Sequence, residues 1–386
     1  MSKVSIYLSS YNHANYVREA IESVLNQTFR EFELFIVDDA STDASWSIIQ
    51  SFTDPRLRAS RNTTNRNDKQ ELNRVIRELA SGEYIAIHHS DNVWECEKLR
   101  RQVDFLDAHP DIGAVFTNAQ IIGEDGEPFK DESHSYYRIF DQPNRSRFDW
   151  LRFFWDGVNA LCHPSILIRK KCYDECGLYR NGLAQIVDLD MWVRLCLKYE
   201  IHVIPEKLLR FRIRSDEGQS SGNRPETRIR AQFEFLQVLE HYLKIPTYQD
   251  LVRVFPAAQK YHLAQGSDVG YVLGRIALET PGRNPVHHLF GLELLFEALN
   301  DVDRARRIDE LYGFVHKDLV ALTAKYDVFA TEVREITRKL ALVLDRIRAA
   351  LVPPNSFGHR RLRRLYKSIV FPVDIVKRDR SSKDDL

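Results

Sequence analysis

Apolar positions along the chain change period near residue 224, and the change separates two kinds of structure. Val4 to Ser9, Phe32 to Val37, Tyr84 to Ile87, Ile112 to Thr117 and Gln120 to Ile122 are short apolar runs of strand length. Between them lie stretches of helical spacing. In Tyr16 to Leu25, residues Val17, Ala20, Ile21, Val24 and Leu25 fall on one face. Ser41-Thr42-Asp43 opens a second helix, Glu71 to Ala80 and Glu97 to Ala108 form two more, and Ser81-Gly82 closes the third. Strands alternating with helices over the first 120 or so residues predict an α/β layer fold with a mostly parallel sheet. From Arg224 onward strand signals fade. Helices broken at Pro246, Pro256 and Thr280-Pro281-Gly282 follow. Leu319, Leu322, Tyr326, Phe329, Val333, Ile336, Leu340, Val343, Ile347 and Ala350 keep a three-four spacing, which predicts one long coiled-coil-like helix ended by Val352-Pro353-Pro354. The expected division is 1–223 α/β, 224–315 helical, 316–352 a heptad helix whose seam (319–350) meets either a second copy in a homodimer or the preceding helices of this chain, and 353–386 a tail.

Bulk properties narrow the function classes. Lysine plus arginine equals aspartate plus glutamate at 55 each in 386 residues, so global charge gives no argument for nucleic acid, and none is expected as a partner. No apolar stretch approaches the roughly 20 residues of a spanning helix. Five cysteines at irregular spacing predict buried free thiols in a reducing compartment rather than a disulfide framework. The expected location is the cytoplasm. Local charge adds one qualification. Residues 360–380 carry eight basic residues against two acidic, with Leu362, Leu365, Tyr366, Ile369 and Val370 on one helical face. A basic amphipathic helix suits the anionic inner face of a plasma membrane; a solvated charged tail accounts for the same residues.

Carboxylates gather where strands end: Asp38-Asp39 after the second, Asp91 after the third. Asp188 and Asp190 precede the helical run from Trp192. Each alone reads as a helix cap or Asx-turn. Together at one mouth of a parallel sheet, where ligands bind, they repel one another unless a cation or a donor-rich ligand is held there.

Val4-Ser5-Ile6-Tyr7-Leu8-Ser9-Ser10-Tyr11-Asn12, then Ala20 to Thr28, Phe35-Ile36-Val37-Asp38-Asp39-Ala40-Ser41-Thr42-Asp43, Asn73 with Ala80 to Ile85, His89-Ser90-Asp91-Asn92-Val93-Trp94, and Val187 to Leu195 resemble, in order, the segments of family 2 inverting glycosyltransferases of the GT-A fold. The resemblance covers residues 3–221. It implies a Rossmann-like domain that moves a sugar from a UDP-, dTDP- or GDP-linked donor to a glycan or lipid-linked acceptor. It implies Asp188 as the base. It places Ser9, Tyr11, Asp38, Asp39, Asn73, His89, Ser90 and Arg214 at the nucleotide sugar, with Tyr11 and Asp39 bracketing the base. It implies Mg2+ or Mn2+ at Asp91, with His89 as a second ligand or as a donor to ribose or phosphate. Three departures stand out: His89 replaces the first aspartate of Asp-x-Asp, Val187 replaces the glutamate before the base, and Arg214 stands where a histidine reaches the metal. They motivate a rival, a catalytically degenerate scaffold that acts through its helices. A nucleotidyltransferase fits less well, because Ser9-Ser10-Tyr11-Asn12-His13 is not a glycine-rich phosphate loop. His163 is an acceptor-side candidate or a turn histidine. Trp150, Phe153, Phe154 and Trp155 read as core packing before they read as a sugar lid. Residues 216–221 read as a donor-closing loop or a surface turn.

Overall fold

Buried strands account for the apolar runs. The structure, a computed structural model, describes residues 2–66, 69–214, 224–263, 266–280 and 285–331, with residues 336, 339 and 340. Its first half runs β1 (Val4–Ser10), α1 (Val17–Leu25), β2 (Phe32–Asp38), α2 (Ser45–Gln50), β3 (Leu57–Arg61), α3 (Gln70–Arg74), β4 (Tyr84–His89), β5 (Val93–Trp94), α4 (Lys98–Ala108) and β6 (Ile112–Ile122). Then come α5 (Arg147–Trp155), β7 (Leu167–Arg169), α6 (Lys170–Cys176), α7 (Val187–Cys196) and β8 (Glu200–Arg212). The sheet order is β3-β2-β1-β4-β7-β6-β8-β5. β3, β2, β1 and β4 are parallel, β6 and β8 are parallel, and β7 and β5 run against their neighbours. All seven residues of β2 are buried, as expected for a strand covered on both faces. α1 buries Val17, Ala20, Ile21 and Val24 against the sheet, the face its spacing predicts.

Three details differ from expectation. The runs 112–117 and 120–122 are one strand. Its register against β8 shifts around Thr117–Ala119, where the Asn118 amide donates to the Pro205 carbonyl at 3.1 Å. The helix expected over 71–80 is α-helical only to Arg74 and continues as a π-helical turn, Val75–Leu79. All five cysteines are free, and Cys162, Cys172 and Cys196 are buried as expected, but Cys96 is exposed.

Two compact units divide the chain, Met1–Ile276 and Ala277–Leu386, so the break falls later than residue 223. α8 (Pro225–Leu239) and α9 (Tyr248–Val254) belong to the first unit because side chains tie them to it. The Tyr242 hydroxyl donates to the Leu151 carbonyl at 2.6 Å, and Arg152 Nε to that of Val254 at 2.6 Å. Trp155 packs edge-on to Tyr242 and Phe255. Trp150, Phe154 and Trp155 are buried, so the aromatic cluster is core.

α10 (Val269–Glu279) crosses the boundary. The second unit continues with α11 (Pro285–Asn300), α12 (Val302–Tyr312) and α13 (His316–Lys325). Here the expected long helix is broken. α13 ends at Lys325, Tyr326 is extended, and Ala330 has φ +50°. The cause lies in two side chains. Tyr326 turns its ring onto His288 (centroids 4.4 Å) and donates its hydroxyl to the Leu278 carbonyl at 3.1 Å. Asp327 Oδ1 accepts the Thr331 N–H at 2.7 Å, which holds the turn between them. An apolar seam position is thus spent within the chain. Beyond the break, Phe329, Ile336 and Leu340 are exposed. The rest of the seam, the tail 353–386 and the loop 216–221 lie outside the described residues. No described helix is long and apolar enough to cross a membrane.

Candidate active site

The carboxyl ends of β2, β1 and β4 lie side by side, with Ser10 paired to Asp38 and Ser9 to His89. Topology therefore brings Ser9, Tyr11, Asp38, Asp39, His89, Ser90 and Asp91 to one sheet edge. Just beyond it the chain is bent into the left-handed region at Asn12 (φ +52°) and Ala40 (φ +62°). Asparagine tolerates this; for alanine it costs about 1–2 kcal/mol, so tertiary bonds must hold it. They do: Asn12 N–H donates to Ser41 Oγ at 2.9 Å, and Thr42 N–H to Asn12 Oδ1 at 2.8 Å. Asp38 is fully buried. It accepts the Ser41 N–H at 3.0 Å and pairs with Arg61 at 3.2 Å, so its carboxylate shapes the loop. Asp39 accepts Asn62 Nδ2 at 2.8 Å and the Arg66 N–H at 3.1 Å, and Tyr11 beside it is exposed.

His13 joins this edge to the end of β8. Its N–H donates to Ser45 Oγ at 2.8 Å. Its ring stands with Nδ1 2.7 Å from Ser90 Oγ and Nε2 2.7 Å from Arg214 NH1 and 3.9 Å from Asp91 Oδ2. Arg212, two residues earlier, is almost wholly buried and sets the register. Its N–H donates to Asn92 Oδ1, its Nε to the Asp91 carbonyl, and its NH2 to Glu19 at 2.7 Å. Asp91 Oδ1 accepts Asn92 Nδ2 at 2.9 Å.

This donor set decides how a cation fits. Among the described residues no three His, Cys, Asp or Glu side chains gather to hold a metal. Asp91 offers one hard carboxylate, 3.9 Å from the His13 imidazole. That fits a divalent cation whose remaining ligands are diphosphate oxygens and water, not one caged by protein alone. His89 stands edge-on to His163, ring centroids 5.3 Å apart. Burial lowers its pKa to about 4, against the opposing pull of Asp91, so it is neutral.

The second part of the site lies at the start of α7. Asp188 Oδ2 accepts Asn159 Nδ2 at 2.8 Å and Oδ1 the Leu189 N–H at 2.9 Å. Burial raises its pKa; those hydrogen bonds and the field of Lys69 pull it partly back. Asp190 behaves oppositely. It is fully buried, but the His241 hydrogen bond at 2.8 Å, Arg194 at 2.8 Å and Arg180 at 3.0 Å outweigh the cost of burial and hold its pKa down. Val187 is packed in the core. His163 Nε2 lies 3.0 Å from the Tyr179 hydroxyl, and burial keeps the ring neutral. Asn73 holds this wall in place: its amide donates to the Tyr179 carbonyl at 2.8 Å and accepts the Tyr179 N–H at 3.1 Å. Glu234 of α8 accepts the N–H groups of Ala184, Gln185 and Ile186 at 2.8, 2.8 and 2.9 Å. His13, Lys69, Asn159, Tyr179 and Glu234 carry no motif signal. Only folding makes them neighbours of the site.

Residues 5–175 match the family model described as glycosyl transferase family 2. They belong to that family. The chain is 27% identical over 215 residues to an uncharacterised glycosyltransferase of Methanocaldococcus jannaschii, covering 54% of this chain and 70% of that protein. It is 34% identical over 107 residues to the UDP-Glc:alpha-D-GlcNAc-diphosphoundecaprenol beta-1,3-glucosyltransferase WfaP of Escherichia coli, covering 28% of this chain and 42% of that protein. Staphylococcus aureus TarS 1–349, solved with UDP-GlcNAc, superimposes with a TM-score of 0.52 at 19% identity, covering 80% of this chain and 91% of that one. That likeness establishes the GT-A fold. The protein is a glycosyltransferase.

Proposed function

We propose that this glycosyltransferase moves a sugar, with inversion, from a nucleoside diphosphate to a hydroxyl of a cell-envelope glycan or its lipid-linked precursor. One observation carries the assignment of the base. Two carboxylates two residues apart are pushed in opposite directions, Asp190 held ionised in an ion-pair network and Asp188 raised and half-buried at the mouth. A raised carboxylate within reach of an acceptor hydroxyl is the better proton acceptor near neutral pH. As the acceptor oxygen bonds to the anomeric carbon, its proton passes to Asp188. The bond from that carbon to the phosphate oxygen breaks, and its electron pair leaves with the nucleoside diphosphate.

Tyr11 packs on the nucleobase and Asp39 accepts its imide N–H. His89, being neutral, offers ribose or phosphate a hydrogen bond and no charge. Arg214 neutralises the diphosphate. Asp91 would hold Mg2+ or Mn2+ together with the donor, and the cation would supply further charge neutralisation. The envelope acceptor rests on the name of the Escherichia coli relative. The test is turnover of a panel of UDP-, dTDP- and GDP-sugars by the parent and by Asp188→Asn. Hydrolysis or transfer by the parent, reduced about 1,000-fold in the variant with donor affinity kept, is expected. Absence of turnover with every donor would favour the scaffold reading, and full activity of the variant would move the base elsewhere.

A further inference from the structure

His13 is fixed from three directions. Ser45 of α2 takes its backbone N–H, Ser90 after β4 meets Nδ1, and Arg214 after β8 meets Nε2. Ser45 and Ser90 are fully buried, and the imidazole is 16% exposed, so the ring is not free to turn. Chemistry settles its tautomer. A guanidinium has only donors, so Nε2 must accept from Arg214, and the ring proton sits on Nδ1 and is donated to Ser90 Oγ. The same Nε2 is 3.9 Å from Asp91 Oδ2, so the imidazole stands between Arg214 and the carboxylate at the strand end.

We propose that His13 is the positioning residue for Arg214, fixing its guanidinium at the strand ends as a built-in cation that grips the donor's diphosphate. This rests on the glycosyltransferase reading above and adds a residue to it. An arginine side chain that recognises phosphate must be held in one geometry, because its rotamer entropy otherwise offsets the hydrogen bonds it makes. A neutral imidazole acceptor provides that hold without competing for the phosphate.

The test is calorimetric binding of UDP, GDP and dTDP, with uridine, guanosine and thymidine as controls, in excess chelator. Proteins are the parent, Arg214→Ala, His13→Ala, the double variant, His13→Gln and His13→Asn. Glutamine places an oxygen near the position of Nε2 and asparagine near that of Nδ1. For the diphosphate that binds, either alanine variant should lose about tenfold in affinity, and the double variant should lose no more than one single does. Glutamine should restore most of the loss and asparagine little, and any binding of the nucleosides should not change. Parent-like affinity in His13→Ala, additive losses, equal losses for nucleoside and diphosphate, failure of glutamine to rescue, or binding by the parent only when metal is added would overturn the proposal. A parent that binds none of the three diphosphates with or without metal would overturn the donor reading as well.

Discussion

Replacing Glu234 by glutamine tests whether a helix beyond the family match holds the catalytic segment. Glu234 is 1% exposed and receives three backbone N–H groups within 2.9 Å, from residues 184 to 186, directly before α7 and Asp188. In Glu234→Gln one oxygen can still receive Gln185 and Ile186, while the amide nitrogen faces the Ala184 N–H. Two bonds then drop from about 1.5–3 kcal/mol for a charged acceptor to about 1 kcal/mol, and an unpaired N–H costs about 1–3 kcal/mol. The segment is only partly buried, so the low end applies, about 2–4 kcal/mol in all. At about 2–4 °C per kcal/mol for a unit of this size, the melting temperature should fall roughly 5–15 °C. Below that temperature, displacement of Asp188 should lower kcat about 10–100-fold. The donor KM should hold, because Tyr11, Asp39 and Arg214 sit on other elements. Thermal melts and initial-rate kinetics on the purified variant decide it. Parental stability and kcat, or a raised KM with kcat intact, would refute the clamp.

Three further outcomes follow from the charges. Because the proposed base, Asp188, must be ionised to act and its pKa is raised by burial, kcat should fall with acid at a pH above the ordinary aspartate range. Asn159→Ala removes a bond that favours the ionised form, so the acid limb of the pH–rate profile should move up; an unmoved limb would count against the pairing. Asp190→Asn leaves Arg180, Arg194 and His241 without their buried carboxylate and should cost about 3–5 kcal/mol in denaturant melts. The depressed pKa of Asp190 gives stability that is present above the unfolded value and lost as pH falls through the folded one, so the parent should lose more stability in acid than the variant; parallel pH curves would contradict this. Asp91→Ala should abolish any gain in nucleoside diphosphate affinity on adding Mn2+, read by calorimetry, and an unchanged gain would place the cation elsewhere.

Much of the α/β half was legible because its signals are local. The face of α1 follows from five apolar residues within nine positions, and the strand ends from Asp38-Asp39 and Asp91. What failed depends on partners. Tyr326 keeps heptad spacing, but spacing does not say whose surface a side chain meets, and here it meets His288 and Leu278 of the same chain. Asn73 and Asp38 sit where the motifs put them, but each spends its polar atoms on the protein, on Tyr179 and on Ser41 with Arg61. The contacts of His13 span 77 residues to Ser90 and 201 to Arg214, and no periodicity encodes pairs that distant.

The three motif departures make sense together rather than singly. Histidine at 89 removes one negative charge from the pattern the chain resembles, and burial keeps it neutral so that it adds none back. Arginine at 214 adds one positive charge where a neutral histidine is expected. The proposed diphosphate end is therefore two charge units more positive than that pattern, the amount one divalent cation carries. The third departure acts at the other end. Val187 is buried in apolar packing, so Asp188 has no adjoining carboxylate to raise its pKa by repulsion. Burial supplies the shift instead, and Asn159 and the Leu189 N–H limit it. A decayed site would lose charge without compensation. Here the loss of a carboxylate at 89 comes with a cation at 214, and the loss at 187 with burial that still raises the Asp188 pKa; this favours an active enzyme over a scaffold.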